Sequence, residues 1–254
     1  MTKTALAGIS TALVITSFLP CLAADKVPVQ SSRPLPANTV KVPISTWDFG
    51  TRITWFMLTD DKRKEDLSDS FYGSINELKD KQNFLPVKFF ADYYFTPYLG
   101  IDLTWDQAKV TARKIGGHTD GTFDLKGPIV SIIGRYRNET TCTPYAGIGL
   151  AYMLASFDPD YNWQYAIDPE TGAYKNGDYF NQNFHPDNPF GFVVSAGAAF
   201  NVDGNWDVDL YLRYTSVRLN FTHKTYWGDE ETDAADVRLP LDNVALGIGV
   251  RYSM

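Results

Sequence analysis

The fold is decided by the last fourteen residues, "LDNVALGIGVRYSM" (241–254). Taken two at a time, Val244, Leu246, Ile248, Val250, Tyr252 and Met254 form an unbroken apolar series. Asn243, Ala245, Gly247, Gly249, Arg251 and Ser253 form the alternate series, small or polar throughout. A period of two marks a β-strand with unlike faces. In a soluble sandwich the apolar face packs on a core and the polar face meets water. In a membrane barrel the apolar face meets lipid and the polar face lines the lumen. One strand cannot separate these cases, so the choice rests on the rest of the chain.

Seven further stretches repeat the pattern. Strand one, 46–58, sets Trp47, Phe49, Ile53 and Trp55 against Asp48, Arg52 and Thr54. Strand two, 86–95, sets Val87, Phe89, Tyr93 and Phe95 against Lys88 and Asp92. Strand three, 99–106, sets Leu99, Ile101, Leu103 and Trp105 against Asp102, Thr104 and Asp106. Strand four, 127–137, sets Val130, Ile132 and Tyr136 against Ser131 and Arg135. Strand five, 144–155, sets Ile148, Leu150, Tyr152 and Leu154 against Gly147 and Gly149. Strand six, 190–201, sets Phe192, Val194 and Phe200 against Gly191, Ser195 and Gly197. Strand seven, 206–217, sets Trp206, Val208, Leu210, Leu212 and Tyr214 against Asp207, Asp209 and Arg213. The tail is the eighth.

The connections alternate short and long. Short links follow strands two, four and six; long ones fall at about 59–85, 107–126, 156–189 and 218–240. Outer-membrane barrels have short periplasmic turns and long external loops. No charged residue falls on the apolar side of any of the eight segments, as a lipid-facing surface requires, since a Lys or Arg at mid-depth costs roughly 2–4 kcal/mol. The aromatics gather at the two ends of that side. Trp47, Phe95, Phe200, Trp206 and Tyr252 lie low, while Trp55, Trp105, Tyr152, Phe192 and Tyr214 lie high. These are the two interfacial belts of a membrane protein. The expectation is an all-β, eight-stranded antiparallel transmembrane up-and-down β-barrel over 44–254, in an outer membrane, with both termini periplasmic.

The N-terminus fits export. Residues 1–23 carry an early Lys3, an apolar stretch from about Ala5 to Leu19 and small residues before Ala24, the build of a secretory signal peptide. Residues 24–43, rich in Pro and polar side chains, read as a flexible periplasmic lead-in. Loss of Cys21 with the signal leaves Cys142 alone, with no disulfide framework. A net charge of −7 argues against nucleic acid, which calls for a basic face.

In order and spacing, "FFADYYFTPYLGIDL", "TPYAGIGLAY", "FGFVVSAGAAFNVDGNWDVDLYLRY" and "LDNVALGIGVRY" resemble the small eight-stranded barrels of the OmpW family. The resemblance covers nearly all strands and implies the passage of small hydrophobic molecules, leaving sideways through the barrel wall. Such barrels commonly end in an aromatic residue read by the barrel-insertion machinery. Here Tyr252 stands two residues before a terminal Met254.

The residues themselves divide the lumen in two. Asp48, Arg52, Asp92, Asp102, Arg135, Asp207, Asp209 and Arg251 point inward in the periplasmic half, as an ion-paired plug would. With Lys88, Asp106 and Arg213, the inward charges number five basic and six acidic. Above them the inward residues turn apolar: Phe56 and Leu58 on strand one, Ile129 on four, Met153 on five, Val193 on six and Val217 on seven. An apolar cup with a charged floor suits a small hydrophobic ligand that cannot continue straight down. Pro86 and Pro128 lack ladder donors and flank strand three, where the wall is expected to be weakest. A structural or adhesive barrel with a filled core is the alternative, because eight strands leave room for little besides side chains.

A lipid A-modifying enzyme is the least favoured reading. Ser216 stands near the top of strand seven, but His118, His185 and His223 read as loop residues out of step with it. "HTDGTFD" and "DPDY" hold spaced acids without matching a calcium loop, and they read as solvated loops. No cofactor or metal is expected. The expected partners are outer-membrane lipid, a small hydrophobic ligand and the insertion machinery.

Overall fold

A computed structural model describes residues 46–59, 75, 77–81, 88–113, 118–138 and 140–254. The segments read as signal peptide and lead-in, and Pro86, lie outside the described residues. The strands are β1 Thr46–Leu58, β2 Glu77–Lys81, β3 Lys88–Tyr94, β4 Leu99–Arg113, β5 Thr119–Arg135 and β6 Cys142–Tyr152. They continue as β7 Leu154–Pro159, β8 Phe180–Pro186, β9 Phe190–Asp203, β10 Trp206–Trp227, β11 Glu230–Pro240 and β12 Asn243–Ser253. Among the described residues one short helix, α1, spans Tyr161–Gln164.

Eight of these strands close a ring in the order β1, β3, β4, β5, β6, β9, β10, β12 and back to β1, antiparallel at every step. They are the eight legible in the sequence. The tail closes the barrel: β12 pairs β1 from Asp48↔Ser253 to Leu58↔Asn243, and the Met254 N–H donates to the Trp47 carbonyl at 2.8 Å. A closed ring leaves no strand edge in lipid, the condition for crossing a bilayer with strands. On β1 the burial alternates as expected, with Trp47, Phe49, Ile53, Trp55 and Met57 exposed and Asp48, Arg52, Thr54 and Phe56 buried. The turn between β9 and β10 is two residues, Gly204–Asn205, with Gly204 at φ 53°.

Two of the expected long loops, 107–126 and 218–240, prove largely regular. β4 and β5 stay paired from Leu99↔Gly134 to Arg113↔Thr119, so most of 107–126 is strand. β10 runs for 22 residues, about twice the 9–11 that span a bilayer. Below, it pairs with β12 and β9; above, it pairs with β11 and β8. β2 extends the wall beside upper β4, and β7 beside upper β5. The strands do not stop at the membrane surface; their polarity inverts there. On β10 the outward residues change from Leu210 and Tyr214 to Arg218 and Asn220, while the inward ones change from Asp209 and Arg213 to Leu219 and Phe221. A reading that follows one apolar face therefore stops where the faces of the strand exchange roles. For the same reason "HTDGTFD" is not a solvated loop: Thr119–Asp124 belongs to β5 and Asp120 is buried.

Candidate functional site

The candidate site is the barrel interior, built in three tiers. The lowest begins with a row of carboxylates. Asp48 stands opposite Asp92, and Asp92 opposite Asp102, on adjacent strands. Like charges directly opposite each other destabilise a sheet, so the row needs cations. Arg251 reaches from β12 with Nη1 3.2 Å from Asp48 and 2.8 Å from Asp92, and with Nη2 3.3 Å from Asp209. Arg135 contributes a second contact to Asp48 at 3.1 Å and donates to the Thr46 hydroxyl at 2.9 Å. Arg52 Nε lies 2.6 Å from Asp209, and its Nη1 lies 3.9 Å from Asp102. The network spans the lumen from wall to wall.

Aromatic rings fill the spaces between these charges. The Arg52 guanidinium lies 3.7 Å from the Phe90 ring centroid and 4.1 Å from that of Tyr211. Arg135 lies 3.4 Å from the centroid of Tyr94, and Tyr145 donates to Asp209 at 2.8 Å. Such cation–ring contacts strengthen when water is excluded. The small inward residues explain how the rings fit. A Cβ at Gly197 would collide with the Tyr145 ring, and one at Gly50 with the Phe90 ring. These interior aromatics escaped the sequence reading because rings were assigned to the lipid belts. Their parity places them inside: Tyr145 is in step with Gly147, and Tyr211 with Asp209 and Arg213.

In the middle tier Asp106 is held by both Lys88 and Arg213. All three were read as inward but left out of the plug. Asp207, by contrast, is not part of it. It sits at the rim beside the β9–β10 turn, where its carboxylate accepts from the Asn201 amide at 2.8 Å, and it forms no ion pair among the described residues. It stands opposite Arg251 in the β10–β12 register, but that guanidinium is turned to Asp48, Asp92 and Asp209. Without Asp207 the charges of the two lower tiers balance: Asp48, Asp92, Asp102, Asp106 and Asp209 against Arg52, Lys88, Arg135, Arg213 and Arg251.

The upper tier is apolar, as the alternation required. Phe56, Ile129, Met153, Val193 and Val217 are buried, and Leu58 packs against them half-buried. They do not form an open cup. The cavity left between Phe56, Leu58, Met153 and Val217 and the polar Asp106, Arg213, Thr215 and Asn243 measures about 20 Å³, with Ile129 and Val193 outside its lining. The tier continues upward into an aromatic core formed by the strand extensions and α1. Phe184 lies 4.6 Å from Trp163, 4.7 Å from Phe221 and 4.8 Å from Phe157, centroid to centroid. Sequence reasoning missed this cap because the residues come from two segments taken for loops, 156–189 and 218–240.

Two of the three histidines correct another expectation. His185 lies in β8 and His223 in β10, in strands and not in loops. His223 faces inward against Trp163 and Phe184, whereas Ser216 is on the outward face of β10. The two cannot meet as nucleophile and base.

On the lipid-facing wall an apolar groove of about 730 Å³ runs over Gly50, Thr51 and Ala91 between Phe49, Phe89, Leu103 and Trp105. Pro128, opposite Trp105 in the β4–β5 ladder, borders it.

No protein-family model and no curated protein matches the sequence. Solved structures do match the fold. The crystal structure of the outer membrane protein OprG from Pseudomonas aeruginosa is 12% identical, with 83% of this chain and 95% of that one covered and a TM-score of 0.57. The solid-state NMR structure of outer membrane protein AlkL in lipid bilayers is 15% identical, with 91% and 96% covered and a TM-score of 0.54. The chain has the fold of the eight-stranded outer-membrane β-barrels.

Proposed function

We propose that the protein is an outer-membrane barrel of the OmpW type that takes small apolar molecules into its upper lumen and releases them sideways. Its termini face the periplasm and its strand extensions face outward. The observation that carries this reading is the change of wall inside the barrel. Between Asp106 and Phe56 the lining passes from paired charges to hydrocarbon, with the small cavity at the boundary. An apolar solute entering from outside finds matching walls in the tier of Phe56, Leu58, Ile129, Met153, Val193 and Val217. Below, it meets charges that would lose their solvation and pairing to let it pass. The groove bordered by Pro128 supports a sideways exit, because the wall there is thinned by Gly50 and a ladder donor is missing. Since the cavity holds at most about one water-sized probe, binding requires the aromatic cap to shift.

That dense packing is also the observation favouring a second reading, a structural or adhesive barrel with a filled core. One experiment separates the two. An environment-sensitive apolar fluorophore is titrated into the purified protein in detergent. The first reading expects saturable binding that is abolished in an Ile129→Asp, Val193→Asp variant which still shifts on heating in SDS gels. No binding to the parent, or equal binding to the folded variant, favours the filled barrel.

A further inference from the structure

The cap carries a basic pair that neither the plug nor the apolar tier uses. On β10 the outward face reads Tyr214, Ser216, Arg218, Asn220. Tyr214 belongs to the upper aromatic belt. Arg218 stands four residues further on, about 10 Å higher at ~3.3 Å per residue and ~40° tilt. That is the height of lipid headgroups above a belt that marks the interface. On β11 the register places Arg238 opposite Asn220 and Pro240 opposite Arg218. Arg218 and Arg238 are thus diagonal neighbours on one face of a two-stranded ribbon, about 7–8 Å apart, with the Asn220 amide between them. Both are exposed, and neither forms an ion pair among the described residues.

The nearby acids do not claim them. Asp242 accepts from the Val217 N–H at 2.8 Å and the Tyr214 hydroxyl at 3.2 Å. Asp236 accepts from the Thr222 hydroxyl at 2.9 Å. Asp187, whose N–H donates to the Asn220 carbonyl, forms no ion pair with either guanidinium among the described residues. In a chain of net charge −7, two free guanidinium groups at headgroup height form a local positive site. A guanidinium presents a planar fork that fits phosphate oxygens two at a time.

We propose that Arg218, Arg238 and Asn220 bind the phosphorylated headgroup of an outer-leaflet glycolipid of the lipid A class, holding the lipid against the β10–β11 ribbon. The inference rests on the outward orientation proposed above for the strand extensions. The test is native mass spectrometry of the purified, detergent-solubilised protein with added bis-phosphorylated lipid A. Dephosphorylated lipid A and inorganic phosphate form separate arms. Parent protein should retain the phosphorylated lipid about tenfold or more better than Arg218→Ala, Arg238→Ala. Lys126→Ala, which removes an outward charge on β5, should behave as parent. Dephosphorylated lipid should not distinguish the proteins. Equal retention by the double variant overturns the site, and an equal loss in Lys126→Ala reduces it to general charge attraction. Inorganic phosphate that binds the pair and displaces the lipid shows an anion site instead of a lipid site. All variants must shift on heating in SDS gels. The orientation is read separately, by labelling Asp229→Cys on intact cells with a membrane-impermeant thiol reagent. Labelling only after lysis refutes the orientation without touching the binding result.

Discussion

Arg251 is the residue on which the lower barrel turns. One guanidinium answers Asp48, Asp92 and Asp209, while Arg135 answers Asp48 alone among the carboxylates. Removing one partner of a buried ion pair leaves an uncompensated charge, at about 3–5 kcal/mol. Arg251→Ala should therefore lower stability by about that amount, or admit water and ions to relieve it. Arg135→Ala should do less, and Asp207→Asn should change neither property, because Asp207 lies at the rim. Denaturant unfolding in detergent and planar-bilayer conductance give the ranking, and an equal effect of all three would contradict the network. Glycine sets a second expectation at this scale. Gly197→Val places methyl groups where the Tyr145 ring lies, and overpacking of this kind costs typically about 1–3 kcal/mol. These residues were legible one at a time in the sequence. The pairing was not, since parity says which way a side chain points and nothing about which charge it meets across the lumen.

At the scale of elements, β10 shows how one strand serves two solvents. Its lower half turns hydrocarbon to lipid and charge to the lumen; its upper half turns charge to water and hydrocarbon to the cap. The cap should therefore behave as a small globular unit standing on the barrel. Phe184→Ala, at the centre of its ring cluster, should cost it about 3–5 kcal/mol. The effect should appear as faster amide exchange in β8 and upper β10 while β1 and β12 stay protected. Uniform loss of protection across the barrel would show that the cap is not a separate unit. His223 adds a pH term. It lies in the upper, extramembrane part of β10 with Nε2 3.1 Å from the Gln182 amide oxygen. Burial holds its pKa below the ordinary histidine value, with Asp233 opposing weakly. The folded cap thus binds fewer protons than the unfolded one as pH falls through about 6.5, and stability rises with pH in that range. The cap should loosen on mild acidification, and His223→Gln should flatten the dependence measured by amide exchange between pH 5 and 7.5.

For the whole molecule, closure matters most. The eight-stranded ring pairs its first and last strands over eleven positions, Asp48 to Leu58, so SDS at room temperature has no sheet edge at which to start. Unboiled and boiled samples should run at different positions on a gel. Identical mobility would count against a closed barrel. The large apolar side chains exposed on the wall, among them Ile53, Leu103, Ile132, Ile148 and Val250, far exceed what a water-soluble monomer presents in one belt. The protein should accordingly need detergent or lipid to stay dispersed at neutral pH, which light scattering on detergent removal would check.

The sequence by itself determined the eight strands, their order, the inside and outside of each, and the shift from charged to apolar lining. All of these follow from a period of two and from what lipid tolerates on the outer face. Tertiary structure decided the rest. It showed that Asp207 stands outside the network, that Tyr94, Tyr145 and Tyr211 stand inside it, and that the apolar tier is packed shut beneath a cap. It also turned most of the 107–126 and 218–240 connections into strand. The physical reason is the same in each case. Which face of a strand is apolar depends on the solvent at that height. Which side chains meet depends on strands brought together by closing the ring, as when Arg251 near the end of the chain reaches Asp48 near the start of the barrel. A linear pattern carries the first kind of information only while the solvent stays the same, and it carries none of the second.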